Sequence, residues 1–154
     1  MSANSTATSP QGPDDGTLRF HIVSDFDEGK RVQKRILDEV ERYDFSADAV
    51  FAIKLALEEA LINAIKHGNR LDPDKRVKIE ATVDETAARI MIHDEGAGFI
   101  RDKVPDPTLE ENIEKCSGRG ILLIEAYMTE AEWTDHGRRL EMVKLNAAEP
   151  PTVP

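Results

Sequence analysis

Apolar residues alternate at Leu18, Phe20 and Ile22, the period of a strand with one buried face, so residues 18–23 are predicted as a first strand. The period then changes. Residues 27–43 carry Val32, Ile36, Leu37 and Val40 at helical spacing among charges, the pattern of an amphipathic helix. A second helix is predicted from Ser46, a good N-cap residue, to the helix-stop pair Gly68 and Asn69. On it Val50, Ile53, Leu57, Leu61 and Ala64 form one stripe that should face a sheet. Alternation returns over residues 77–83 and 88–92, and Asp84, Glu85 and Thr86 between them predict a hairpin. Residues 120–128 are short, apolar and helical. Residues 131–135 and 139–145 flank His136, Gly137 and Arg138 as a second hairpin. The order β-α-α-β-β-loop-α-β-β predicts an α+β protein. Its architecture is a two-layer α/β sandwich, with a mostly antiparallel mixed sheet and helices on one face.

Composition limits this picture at both ends. Residues 1–17 are rich in Ser, Thr, Pro, Gly and Asp, and residues 147–154 are similar; neither buries enough apolar surface to offset chain entropy. They are predicted as disordered tails around one folded unit, 18–146. Residues 99–117 are polar, hold Pro105 and Pro107, and are predicted as a long loop of the kind that forms lids. The 20 Lys and Arg against 30 Asp and Glu leave a net charge of −10, which argues against binding a nucleic-acid backbone. The acidic balance suits a basic partner, and serves solubility equally. The single cysteine, Cys116, excludes an internal disulfide framework and any CxxC site, and reads as incidental. No run approaches the roughly 18 apolar residues that span a membrane. No Lys or Arg precedes Arg19 and no apolar segment resembles a secretory signal, so the expected location is the reducing cytoplasm.

Three segments carry candidate chemistry. Glu59 and Asn63 lie one turn apart on the second helix, roughly opposite the sheet-facing stripe and flanked by Phe51, Leu55 and Ile62. A carboxylate can accept a proton and an amide oxygen suits a hydrated Mg²⁺; a solvated helix face has the same appearance. Asp94-Glu95-Gly96-Ala97-Gly98-Phe99 directly follows a strand. Its glycines allow a tight turn and close approach of a ligand, as they would in an ordinary turn. It lacks the third glycine and the immediate helix of a dinucleotide fingerprint. Ser117-Gly118-Arg119-Gly120 opens a helix, where free N–H groups and the positive helix end form an anion site or a plain capped start. No P-loop pattern occurs.

Taken in order, these segments resemble a known family. Glu-x-x-x-Asn-Ala-x-x-His-Gly at 59–68, Asp-x-Gly-x-Gly-Phe at 94–99 and Gly-x-Gly-Ile-x-Leu-Ile at 118–124 are similar to the N box and two glycine boxes of the GHKL (Bergerat-fold) ATPase superfamily. Residues 59–64, 104–108 and 124–130 resemble the stand-alone anti-sigma-factor serine kinases, the RsbW and SpoIIAB group. The likeness spans about residues 18–145. It implies Glu59 as general base, Asn63 as the Mg²⁺ ligand and Asp94 as acceptor for the adenine amino group. It implies Gly96 and Gly98 as shaping the nucleotide pocket, Gly118, Arg119 and Gly120 as a phosphate cradle, and residues 100–117 as a lid. Lys66, His67 and Arg119 are candidates for further positive charge, although for His67 the helix C-cap is the stronger reading. His21, His93 and His136 are scattered without metal-ligand spacing, while Trp133, Leu122 and Ile124 read as core. Residues 137–144 lack the Ser or Thr that related chains often carry there.

The resemblance implies an ATP- and Mg²⁺-dependent serine/threonine protein kinase that acts as an anti-sigma factor. It would phosphorylate a STAS-type antagonist, sequester a sigma factor and form a homodimer, with no direct contact to nucleic acid or membrane. The alternative is a non-catalytic module whose protein binding depends on nucleotide.

Overall fold

The computed structural model describes residues 16–98 and 118–146. Residues 1–15 and 147–154 of the predicted tails lie outside the described residues, as does the predicted loop and lid over 99–117 with Cys116. The N-terminal tail was predicted to run to residue 17, but Thr17 already pairs with Thr82 as the first residue of a strand. The elements are β1 (Thr17–Val23), α1 (Phe26–Val40), α2 (Ala47–Ile62) continuing into a π-helical turn (Asn63–Gly68), β2 (Arg76–Val83), β3 (Ala87–His93), α3 (Gly118–Tyr127), β4 (Glu130–Thr134) and β5 (Arg139–Leu145). The order matches the expected one. The strands form one sheet in the order β1-β2-β3-β5-β4, and all four pairings are antiparallel.

Alternation and register together build the core. Phe20 pairs with Ile79, Ile79 with Ile92, Ile92 with Leu140 and Leu140 with Trp133, so one inward-facing row crosses all five strands. A second row runs Leu18, Ala81, Ile90, Met142, Ala131. A slip of one residue in any pairing would turn these side chains to the opposite face. The helices cover this side and complete the cluster with Val32, Ile36, Val40, Ile53, Leu57, Leu61 and Ile124. Each such fully buried aliphatic side chain contributes about 1.5–3 kcal/mol.

Both long helices have side-chain caps. Asp25 accepts from Glu28 N–H at 3.2 Å, so α1 begins one residue earlier than predicted, and Ser46 accepts from Ala49 N–H at 3.1 Å as expected. On α2 the predicted stripe is slightly rotated. Ala49 is buried where Val50 was expected, and Val50 packs half-buried at the core's edge. Small residues at Ala52, Ala56 and Ala60 let neighbouring elements close on a second side of α2. There Phe51 meets Tyr127 of α3 edge to face, with ring centroids 6.0 Å apart.

The end of α2 departs from expectation in an instructive way. The helix does stop at Gly68, but the left-handed residues are Arg70 (φ 56°) and Leu71 (φ 57°). Asn69 N–H donates to Ala64 O at 2.8 Å, the wider five-residue step of a π turn. Gly68 is therefore not a left-handed cap; its role lies in packing against Asp94.

A candidate nucleotide cleft

The cleft lies between the end of α2, the end of β3 and the β4–β5 turn. The inward row supplies its floor with Ile92, Leu140 and Trp133. Two residues beyond Ile92 on the same face is Asp94, so strand alternation alone carries its carboxylate into the cleft. Helix periodicity aligns Ala60, Asn63, Ala64 and His67 along the opposite wall. Gly98, Gly137 and Arg138 close the rim around a space of about 170 Å³.

Close backbone approach explains the glycines. A Cβ at Gly68 would stand 2.6 Å from the Asp94 carboxylate, and one at Gly96 only 2.0 Å from Gly68 O. Gly98 has φ +84° and lies where a Cβ would meet His136 O at 2.3 Å. Gly96 N–H donates to Asp94 Oδ1 at 2.8 Å, which fixes the carboxylate's orientation. Burial pushes the Asp94 carboxyl above its ordinary value, while the Gly96 N–H, His93 and Arg138 act in the opposite direction.

Asn69 holds this corner together and had been read only as a helix stop. It is fully buried. Its amide donates to Ser24 Oγ and Arg76 O, each at 3.0 Å, and its carbonyl accepts from Glu95 N–H at 2.8 Å. Ser24 Oγ in turn donates to Lys75 O at 2.7 Å. One side chain thereby joins the end of α2, the end of β1, the start of β2 and the turn carrying Asp94. Asn69→Ala would strand a buried N–H and a carbonyl, so a loss of about 2–3 kcal/mol is expected, read as a lowered urea midpoint.

Glu59 and Asn63 sit beside the start of α3. A Cβ at Gly120 would be 2.8 Å from Glu59 Oε1 and 3.3 Å from Asn63 Nδ2, so any larger residue there would displace these two side chains. Both side chains are half-buried, and neither has a hydrogen-bond or ion-pair partner among the described residues. Burial, and secondarily Glu58, push the Glu59 carboxyl above its ordinary value. Gly118 begins α3, and the first N–H groups of a helix have no intrahelical partner, an environment suited to an anion.

Of the predicted site residues, Asn63, Asp94 and Gly98 line the cleft together, while Glu59 and Gly120 meet beside Asn63 and are not among the residues that line it. Gly118 is the first residue of α3, and Gly96 is buried against the helix end. Arg119 is exposed on the first turn of α3. Lys66 lines a groove between α1 and α2 instead of the cleft. His67 does face the cleft, and burial, then Lys66, lower its pKa. The histidines are not all isolated: His93 Nε2 is 2.8 Å from Asp135 Oδ2. Of Trp133, Leu122 and Ile124, Ile124 is fully enclosed, Trp133 packs half-buried against the core, and Leu122 is 44% exposed. Trp133 and Leu140 were missed as cleft residues because strand pairing, which local sequence does not encode, brings them beside Ile92.

Known proteins share this pattern. The family described as the histidine kinase-like ATPase domain matches residues 23–144. An anti-sigma F factor of Oceanobacillus iheyensis is 32% identical over 119 residues, covering 75% of this chain and 80% of its own length. An anti-sigma F factor of Bacillus cytotoxicus is 30% identical over 118 residues, covering 75% and 79%. A serine-protein kinase RsbW of Oceanobacillus iheyensis is 31% identical over 115 residues, covering 70% and 73%.

Proposed function

Since the chain belongs to the histidine kinase-like ATPase domain family, we propose that it is an ATP-binding anti-sigma regulatory factor with Mg²⁺-dependent serine/threonine protein kinase activity. It phosphorylates a serine of a STAS-type antagonist, and sequesters a sigma factor when that antagonist is absent or already phosphorylated. The names of its relatives, anti-sigma F factor and serine-protein kinase, support the reading. The observation that carries it is the half-buried pair Glu59 and Asn63 beside the start of α3, with no side-chain partner among the described residues.

Asp94 accepts a hydrogen bond from the adenine amino group, with Ile92, Ala64, Trp133 and Leu140 supplying apolar surface for the ring. The N–H groups of Gly118, Arg119 and Gly120 hold phosphate oxygens at the positive end of α3. The donor set fits Mg²⁺, which takes one or two protein oxygens and completes its shell with water and phosphate; Asn63 Oδ1 is the ligand. When bound, the ion neutralises charge on the transferred phosphoryl group. Glu59 takes the proton of the attacking serine hydroxyl, and its raised pKa makes its ionised form the stronger base.

ATP labelled at its terminal phosphate, incubated with this chain and the cognate antagonist, should leave label on an antagonist serine. Tight ATP binding without transfer would favour the non-catalytic module. Asp94→Asn should weaken ATP binding about tenfold or more, because a charged acceptor is replaced by a neutral one. Unchanged affinity by calorimetry would remove Asp94 from the adenine site.

A further inference from the structure

We propose that Arg138 is a positioning residue for base recognition: its guanidinium ties the β4–β5 turn to the turn after β3 and holds Asp94 where it selects adenine over guanine. The inference rests on the nucleotide reading above and adds a specificity determinant to it.

Asp94 is bonded directly to this turn. Its N–H donates to Arg138 O at 3.0 Å. Arg138 Nη1 donates to Gly96 O at 3.3 Å and to Ala97 O at 3.4 Å. Nε and Nη2 of the same side chain donate to Asp135 Oδ2 and Oδ1, each at 3.3 Å. Asp135 Oδ2 also meets His93 Nε2 at 2.8 Å. The residues on both sides of Asp94 are thus tied to one short segment. That segment is held in an uncommon form, with Asp135 and His136 at φ 53° and 58°. The paired carboxylate of Asp135 lies low, at about 2, set first by Arg138 and then by His93. Only a planar fork with five donors reaches a carboxylate and two carbonyls at once; a lysine ammonium has three donors at one point.

The link to specificity is chemical. Adenine presents an amino donor at the position where guanine presents a carbonyl oxygen. A fixed carboxylate binds the first and repels the second, and a displaced one does neither well.

Nucleotide affinities of the full chain, measured by titration with ATP and with GTP, test this. Arg138→Ala should weaken ATP about tenfold and leave GTP binding no weaker, or tighter as the repulsion is relieved, so the preference for ATP falls about tenfold or more. Arg138→Lys should recover part of that preference, and both variants should keep the wild-type unfolding temperature within a few degrees. Equal weakening of both nucleotides, or an unchanged preference, would overturn the positioning role and leave the nucleotide site standing. A wild-type chain that binds neither nucleotide would overturn the site reading and this inference with it.

Discussion

Glu59→Gln should slow phosphoryl transfer to the antagonist by about a thousandfold while ATP affinity stays within about twofold. The substitution keeps the size of the side chain and its proximity to Gly120, and removes only the ability to accept a proton. Nucleotide binding, which the α3 N-terminus, Asn63 and Asp94 support, should survive. If affinity falls as far as transfer, Glu59 is a binding residue and not the base. The same variant has a stability signature. Burial raises the Glu59 carboxyl in the folded state, so folding favours its protonated form. Below the unfolded-state pKa both states hold the proton, and Glu59→Gln should unfold at the wild-type temperature. As pH rises through the raised folded pKa, wild type must ionise a half-buried carboxyl and loses stability that the glutamine variant keeps. Thermal unfolding across pH should show the two curves parting in that direction only. The acid limb of the transfer rate should likewise be displaced upward from that of an ordinary glutamate.

Gly96→Ala should be the most damaging small substitution, with a stability loss of about 3 kcal/mol or more and no measurable ATP binding. The added methyl would stand 2.0 Å from Gly68 O and 2.4 Å from Gly68 C. Both atoms are backbone, so no side-chain rotation relieves the overlap. The turn after β3 would have to move off the end of α2. That movement would break the bond from Glu95 N–H to Asn69 Oδ1 and carry Asp94 out of the cleft. Denaturant unfolding and calorimetry on one sample check both effects. A variant that folds and binds like wild type would mean that Gly68 and Gly96 are not packed against each other in solution.

Elements set by local periodicity were legible before the structure. The alternation in β1 to β3, the Ser46 cap, the turn at Asp84 and the sandwich architecture each follow from a few neighbouring residues. That Glu59 and Asn63 lie together was legible because helical spacing puts them one turn apart, whereas their roles came only from the family resemblance. Features made by distant partners were not. Gly68 looks like a helix cap, yet the left-handed positions fall at Arg70 and Leu71, and Gly68 exists to admit Asp94 from another strand. Asn69 reads as a stop signal, but its three bonds go to β1, β2 and the β3 turn. His93 and Asp135 are 42 residues apart and meet only through the pairing of β3 with β5. Leu122 reads as core by composition, but α3 turns Ile121 and Ile124 inward and leaves Leu122 at the surface.

The central claim is that one Mg²⁺–ATP binds between Asn63 and Asp94. Calorimetric titration of the full chain with ATP, with Mg²⁺ and with chelator, tests it most directly. The account predicts one saturable site per chain, tighter with Mg²⁺, with Asn63→Ala erasing the Mg²⁺ dependence. Absence of saturable binding in either condition, or an Mg²⁺ dependence that survives the loss of Asn63, would contradict it.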